Sequence, residues 1–153
     1  MFIKQIIDAF QKYQVNYALV GGYAVALHGA VRGTVGIDFV IQLDRGQFVA
    51  AEQALVSIGL QPRLPVAASE VFDFREEYIR NKNLTAWSFY HPVNPLEMVD
   101  ILITEDLGQI QTVLKKLDRI NIRVASIPDL IRMKKIAGRP QDIEDIKALE
   151  KLL

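Results

Sequence analysis

The segment Tyr17-Ala-Leu-Val-Gly-Gly-Tyr-Ala-Val-Ala-Leu-His-Gly-Ala-Val-Arg-Gly-Thr-Val-Gly-Ile-Asp-Phe-Val-Ile41 organises the chain. Tyr17 to Val20 is a short apolar run stopped by Gly21-Gly22, and it reads as a buried strand. Tyr23 to His28 is Ala-rich and suits a short helix packed closely on a sheet, and Ile37 to Leu43 is β-branched and apolar enough for the next strand. A strand feeding two glycines that open a helix presents backbone N–H groups to an anion, and the helix dipole adds to the attraction. Phosphate is the natural anion, although glycine pairs also serve plain tight turns. Asp38, inside the second strand, needs a hydrogen-bond donor, an exposed strand end or a cation, because an unpartnered buried carboxylate is costly.

Outward from this segment, Ile3, Ile6, Ile7, Phe10 and Tyr13 recur at helical spacing, so the first dozen residues form an amphipathic helix. Asp44 with Gln47 resembles a capping box for a helix through Ile58, and Gly59 stands where a terminating glycine belongs. Beyond Pro62 and Pro65, Ser69 is the cap of a helix through about Arg80. Thr85 to Tyr90 and Leu96 to Ile103 read as antiparallel strands joined by a connector with two prolines. Ile110, Val113, Leu114 and Leu117 mark another helix, and Ile120 to Val124 an edge strand. Ser126 and Asp129 start a capped helix with Pro128 in its first turn, and Gln141 to Leu153 alternates charged and apolar residues at helical spacing. Helices and hairpins mixed in this order predict an α+β fold in one domain over residues 1–153.

Composition narrows the function. Eighteen basic residues balance eighteen acidic ones, so no global positive field holds nucleic acid or anionic lipid by charge alone. With no cysteine, thiol catalysis, Cys-ligated zinc and disulfides are excluded. The start, Met1-Phe2-Ile3-Lys4-Gln5, has no basic region followed by an apolar run, and Tyr17 to Leu27 is too short to span a bilayer. The expectation is a soluble cytoplasmic protein.

Asp100, in Met98-Val-Asp-Ile-Leu102, repeats the situation of Asp38. If the two strands are neighbours, both carboxylates point into one cleft and can share Mg²⁺, which prefers oxygen ligands; the alternative is that each pairs with an arginine or caps a turn. The order Gly21-Gly22, Arg32-Gly33-Thr34-Val35-Gly36-Ile37-Asp38 and Val99-Asp100 resembles the nucleotidyltransferases of the polymerase-β superfamily, in particular their minimal and AbiEii-toxin-like bacterial branches. The tail from Ile127 to Asp145 is similar to that family's closing Lys-x-x-Ala-x-Arg-x-x-Asp-x-x-Asp helices, here Lys134, Ala137, Arg139, Asp142 and Asp145. The resemblance implies a mixed sheet flanked by helices, with the C-terminal helices closing a cleft. It implies a nucleoside triphosphate held by Gly21, Gly22, Arg32, Thr34 and Lys134, and Mg²⁺ held by the catalytic pair Asp38 and Asp100. The acceptor it implies is protein or RNA.

One position departs from the pattern. Gly36 stands where the family carries the first aspartate of its Asp-x-Asp pair, which in such enzymes helps hold two divalent ions. On one strand face with Asp38, an aspartate there would lie about 6.6 Å along the backbone, and replacing a strand-interior glycine would itself be favourable. The departure predicts a magnesium site weakened or lost and transfer impaired or absent. Two rivals are a working toxin-like transferase with a reduced metal site and a non-enzymatic interaction or toxin–antitoxin module. Secondary residues divide in the same way. His28 reads as a helix-ending cap more than a substrate contact, and Lys135 as an inter-helix ion-pair partner, which leaves Lys134 for the cleft. Arg139 belongs to the same basic wall, and Trp87, Phe89 and Tyr90 read as core more than as a base-stacking platform.

Overall fold

The computed structural model describes residues 1–30 and 33–153. Among them the strands are β1 (Tyr17–Val20), β2 (Ile37–Ile41), β3 (Gln61–Pro62), β4 (Ala86–Tyr90), β5 (Met98–Leu102), β6 (Thr112–Leu117) and β7 (Ile120–Ala125). The helices are α1 (Phe2–Lys12), α2 (Gly21–Leu27), α3 (Arg45–Ser57), α4 (Ala68–Asp73), α5 (Arg75–Lys82), α6 (Ile127–Ala137) and α7 (Pro140–Glu150). All the strands join one mixed sheet in the order β3-β4-β5-β2-β1-β7-β6. Pairing is antiparallel except for β2 with β5 and β1 with β7, so the class is α+β.

Alternation along the strands sorts the side chains onto two faces. In one row Leu19 opposes Phe39, Phe39 opposes Ile101, and Ile101 opposes Trp87, and all four are buried. Two helices seal this face with aromatic rings. Phe10 of α1 meets Phe39 edge-on at 5.0 Å, and Phe48 of α3 stacks on Trp87 at 5.4 Å. The next row on the opposite face runs Val20, Asp38, Asp100, Ser88. Carboxylates therefore replace hydrocarbon on the face that the large aromatics leave open.

Several caps follow the sequence. The Asp44 carboxylate accepts from the Gln47 backbone N–H at 3.0 Å, and the Ser126 hydroxyl accepts from Asp129 N–H at 3.4 Å. Four expectations are corrected. Residues 112–117 form strand β6 rather than a helix, because Leu117 pairs with Ile120 across the tight turn at Asp118-Arg119 and the hairpin zips back to Thr112 opposite Ala125. The helical spacing of Val113, Leu114 and Leu117 is coincidental, since Val113 and Leu114 face solvent on that strand. Strand β7 is interior, lying between β1 and β6, and β6 is the edge. Ser69 lies inside α4, whose start is set by the buried Ala68, and the expected single helix is divided at Phe74 into α4 and α5. Finally, Gly36 precedes β2, with φ of +79°, and is not a strand-interior residue.

Trp87→Ala should cost about 3–5 kcal/mol of unfolding free energy, read from chemical denaturation. Leu114→Ser on the edge strand should stay within about 0.5 kcal/mol.

Candidate functional site

Parallel pairing of β2 with β5 sets Asp38 directly opposite Asp100. Both open into a cleft of about 700 Å³ whose walls also include Gly21, Gly22, Thr34, Lys134, Arg139 and Asp142. The sequence-derived set of Gly21, Gly22, Thr34, Asp38, Asp100 and Lys134 thus converges in one place. Arg32 lies outside the described residues.

The floor is shaped by close approach. Gly21 has φ of +70°, and a Cβ built there would lie 2.1 Å from Asp38 Oδ2. Only glycine allows the β1–α2 turn to sit against that carboxylate. The Oδ1 atom of Asp100 is buried and has no hydrogen-bond partner among the described residues. Gly36 has room of another kind. A Cβ there would meet Met98 at ordinary contact distances of 3.7 and 3.8 Å, so the left-handed backbone, and not crowding, favours glycine. The partial gain expected from replacing a strand-interior glycine is therefore lost, and backbone strain adds to the cost of the extra negative charge in Gly36→Asp.

Helices α6 and α7 form the opposite wall. Gly138, with φ of +64°, ends α6 and lets the chain reverse into α7. The buried stripe of α7 is Asp142, Asp145 and Leu149, so two acids point inward. Lys134 meets them: its Nζ lies 3.3 Å from Asp142 and 3.0 Å from Asp145, with 8% of the side chain exposed. The inter-helix pairing expected of Lys135 thus belongs to Lys134, while Lys135 is exposed. Arg139 donates to Asp142 from Nε at 2.8 Å, from Nη2 at 3.3 Å and from its backbone N–H at 3.0 Å. Burial alone would raise the Asp142 carboxyl, but hydrogen bonds from Arg139 and the charge of Lys134 hold it at about 2 against an ordinary 3.8.

Other candidates are placed elsewhere. His28 ends α2, and its Nε2 lies 2.8 Å from the Ala125 carbonyl, to which the ring N–H donates, tying that helix to β7. Burial lowers its pKa, the Ala125 contact opposes that, and Lys115 adds to the lowering. Trp87 and Phe89 lie in the aromatic core, and the Tyr90 ring lies under Arg63. None of them lines the cleft. Residues that the sequence reading missed do line it: Thr85, Thr104, Glu105, Met133, and the exposed Val35 and Ile136. Glu105 pairs with Arg132 at 2.8 Å. Their only sequence signal is position: Val35 beside Thr34 ahead of β2, Thr85 just before β4, Thr104 and Glu105 just after β5, and Met133 and Ile136 along α6.

The whole arrangement is similar to that of the lincosamide antibiotic adenylyltransferase LnuA in its lincomycin-bound structure. The TM-score is 0.66 and the identity 17%, over 99% of this chain and 96% of that one. This is the nucleotidyltransferase fold. The antibiotic-resistance factor ANT(2'')-Ia is similar at a TM-score of 0.67 and 12% identity, over 97% of this chain and 80% of that one. An antigenic nucleotidyltransferase-like protein from Paracoccidioides brasiliensis reaches 0.61 at 16% identity, over 99% and 75%. No family model and no curated protein matches the sequence.

Gly21→Ala should lower stability by more than about 2 kcal/mol in thermal or chemical unfolding. Gly33→Ala, where an added Cβ meets nothing within 4 Å, should be nearly silent. Asp142 has a depressed folded pKa, so its contribution is present above 3.8 and is lost as pH falls through about 2. Asp142→Asn should remove on the order of 2 kcal/mol at neutral pH and flatten that part of the acid limb of stability.

Proposed function

We propose that the cleft binds a nucleoside triphosphate as its magnesium complex, at Asp38 and Asp100, with nucleotidyl transfer impaired or absent. The observation that carries this reading is Asp100 Oδ1, a buried carboxylate oxygen without a hydrogen-bond partner among the described residues, across the strand pair from Asp38. A cation relieves both the desolvation of that oxygen and the repulsion between the carboxylates. Mg²⁺ is typically held by one or two carboxylates, its own waters and substrate phosphates, which fits this donor set. When bound, the ion would supply charge neutralisation at the phosphates. Among the described residues no group of three His, Cys, Asp or Glu side chains is placed to hold a metal, and position 36 offers no carboxylate. This argues against a two-ion transfer site, and the reading therefore takes a single ion completed by waters and phosphate oxygens.

The chain's own residues have separable parts in this reading. Gly21 and Gly22 bring backbone up to the phosphates, Thr34 adds a hydroxyl at the rim, Arg32 is carried by the resemblance alone, and the C-terminal wall supplies cations. No aromatic side chain lines the cleft among the described residues. Recognition then rests on phosphate more than base. Among the described residues no helix is long and apolar enough to cross a membrane.

One observation favours a second reading, a working toxin-like transferase acting on a protein or RNA acceptor. Val35 and Ile136, 72% and 73% exposed, both line the cleft and give its mouth an apolar rim that a triphosphate does not need. Two similar folds hold small molecules, LnuA being lincomycin-bound and ANT(2'')-Ia being in complex with adenylyl-2''-tobramycin, and neither is a protein or RNA acceptor.

Calorimetry with ATP, GTP, CTP and UTP should give comparable affinities in Mg²⁺ and none in EDTA, without pyrophosphate release. Release of pyrophosphate would select the transferase, and no heat with any nucleotide would select the non-enzymatic toxin–antitoxin module. Asp100→Asn should raise the melting temperature without metal, because it removes a like-charge pair worth about 0.2–1 kcal/mol. The same change should abolish the shift produced by Mg²⁺ in the wild type.

A further inference from the structure

Two cations line the cleft among the described residues, Lys134 and Arg139, and their surroundings assign them different work. Lys134 is enclosed between two carboxylates that are themselves buried, Asp142 with 0% and Asp145 with 3% of the side chain exposed. Turning its ammonium towards a phosphate would break the bridge it makes between α6 and the two inward-facing acids of α7, and breaking a buried ion pair is strongly unfavourable. Arg139 is in the opposite position. Its side chain is 72% exposed, and Asp142 takes only the edge formed by Nε and Nη2. The Nη1 group has no partner among the described residues, so the guanidinium can accept an anion without surrendering the carboxylate that fixes it. Arg139 lines the same cleft as the floor carboxylates Asp38 and Asp100.

We propose that Arg139 is the side chain of the C-terminal helices that engages the nucleotide phosphates, with Asp142 as its positioning residue and Lys134 as the internal counter-ion of Asp142. This rests on the nucleotide reading above and moves the phosphate contact from Lys134 to Arg139. The phosphate lies between the floor carboxylates, with their divalent ion, and the free edge of the guanidinium. The charges of Lys134 and Arg139 are matched by those of Asp142 and Asp145. An anion therefore finds no excess positive charge in the wall, only one fixed and outward-facing donor group. Binding should depend on the divalent ion for charge and on Arg139 for geometry.

The test uses the full chain with Mg-ATP as probe, calorimetry for affinity and circular dichroism for the fold. Arg139→Gln should stay folded and bind Mg-ATP at least about tenfold more weakly, the loss expected for one charge-assisted contact. Arg139→Lys should recover only part of the affinity, because it keeps the charge and loses the fork. Lys135→Gln should match the wild type. Asp142→Asn should weaken binding, and in the double variant with Arg139→Gln the losses should not add, as they would if Asp142 acted only on stability. Wild-type binding with an Arg139→Gln affinity within twofold of it would overturn this assignment and leave the nucleotide reading standing. A folded Lys134→Gln protein that loses affinity while Arg139→Gln does not would overturn it in favour of Lys134. If the wild type binds no magnesium triphosphate at all, the nucleotide reading itself fails first.

Discussion

Asp38 and Asp100 face each other across two parallel strands on a half-buried cleft floor, and such a pair of like charges costs free energy unless something compensates it. Adjacent strands lie about 4.8 Å apart, so the two carboxylates cannot avoid each other by backbone spacing alone. The register is nevertheless pinned, because slipping it by one residue would exchange Asp38 for Phe39 on the open face and bury the acid among aromatics. The aromatic face therefore determines where the charges lie. Phe10 against Phe39 and Phe48 against Trp87 make the alternative registers worse than the repulsion. The acidic pair keeps this place because a well-packed core on the other side of the same strands leaves it no other.

The second wall solves a related problem by different means. Helix α7 turns two acids inward, and the cluster avoids unpaired buried charge by drawing in Lys134 and clamping Asp142 with Arg139. This gives the Lys-x-x-Ala-x-Arg-x-x-Asp-x-x-Asp spacing a physical meaning. Lysine and the two aspartates lock the helix pair, and the arginine reaches the cleft while sharing one of those aspartates. In the floor one oxygen, Asp100 Oδ1, is buried without a hydrogen-bond partner among the described residues, whereas the acids of the wall meet Lys134 and Arg139.

Much of this was legible in the sequence where local chemistry and tertiary packing agree. The Asp44 and Ser126 caps, the β1 strand stopped by Gly21, and the apolar stripe of α1 each carry a signal within a few residues, and each appears where its pattern puts it. Convergence of Asp38 and Asp100 was legible through motif order. What was not legible depended on partners distant in sequence. The spacing of Val113, Leu114 and Leu117 satisfies a helix, but pairing with β7, itself held by β1, decides for a strand. Lys134 and Lys135 are indistinguishable as letters, and only the rotation of α6 against α7 buries one and exposes the other. The sign of φ at Gly36 is set by the turn entering β2, which strand parity does not reveal.

The cleft is drawn from the β1–α2 turn, β2, β5 and the α6–α7 junction, so its members enter the growing chain at widely separated times. The β1–β2 antiparallel pair is comparatively local, whereas β5 joins β2 only after α3, α4, α5 and β4 have been made, and that parallel closure carries a larger loop entropy. Until β5 is made, β2 has no partner on that edge, and Asp38 lacks the carboxylate that opposes it in the finished sheet. The step that covers this edge, and so limits aggregation, is also the step that creates the acidic floor. Solubility of the nascent chain and assembly of its site are thus tied to the same late event.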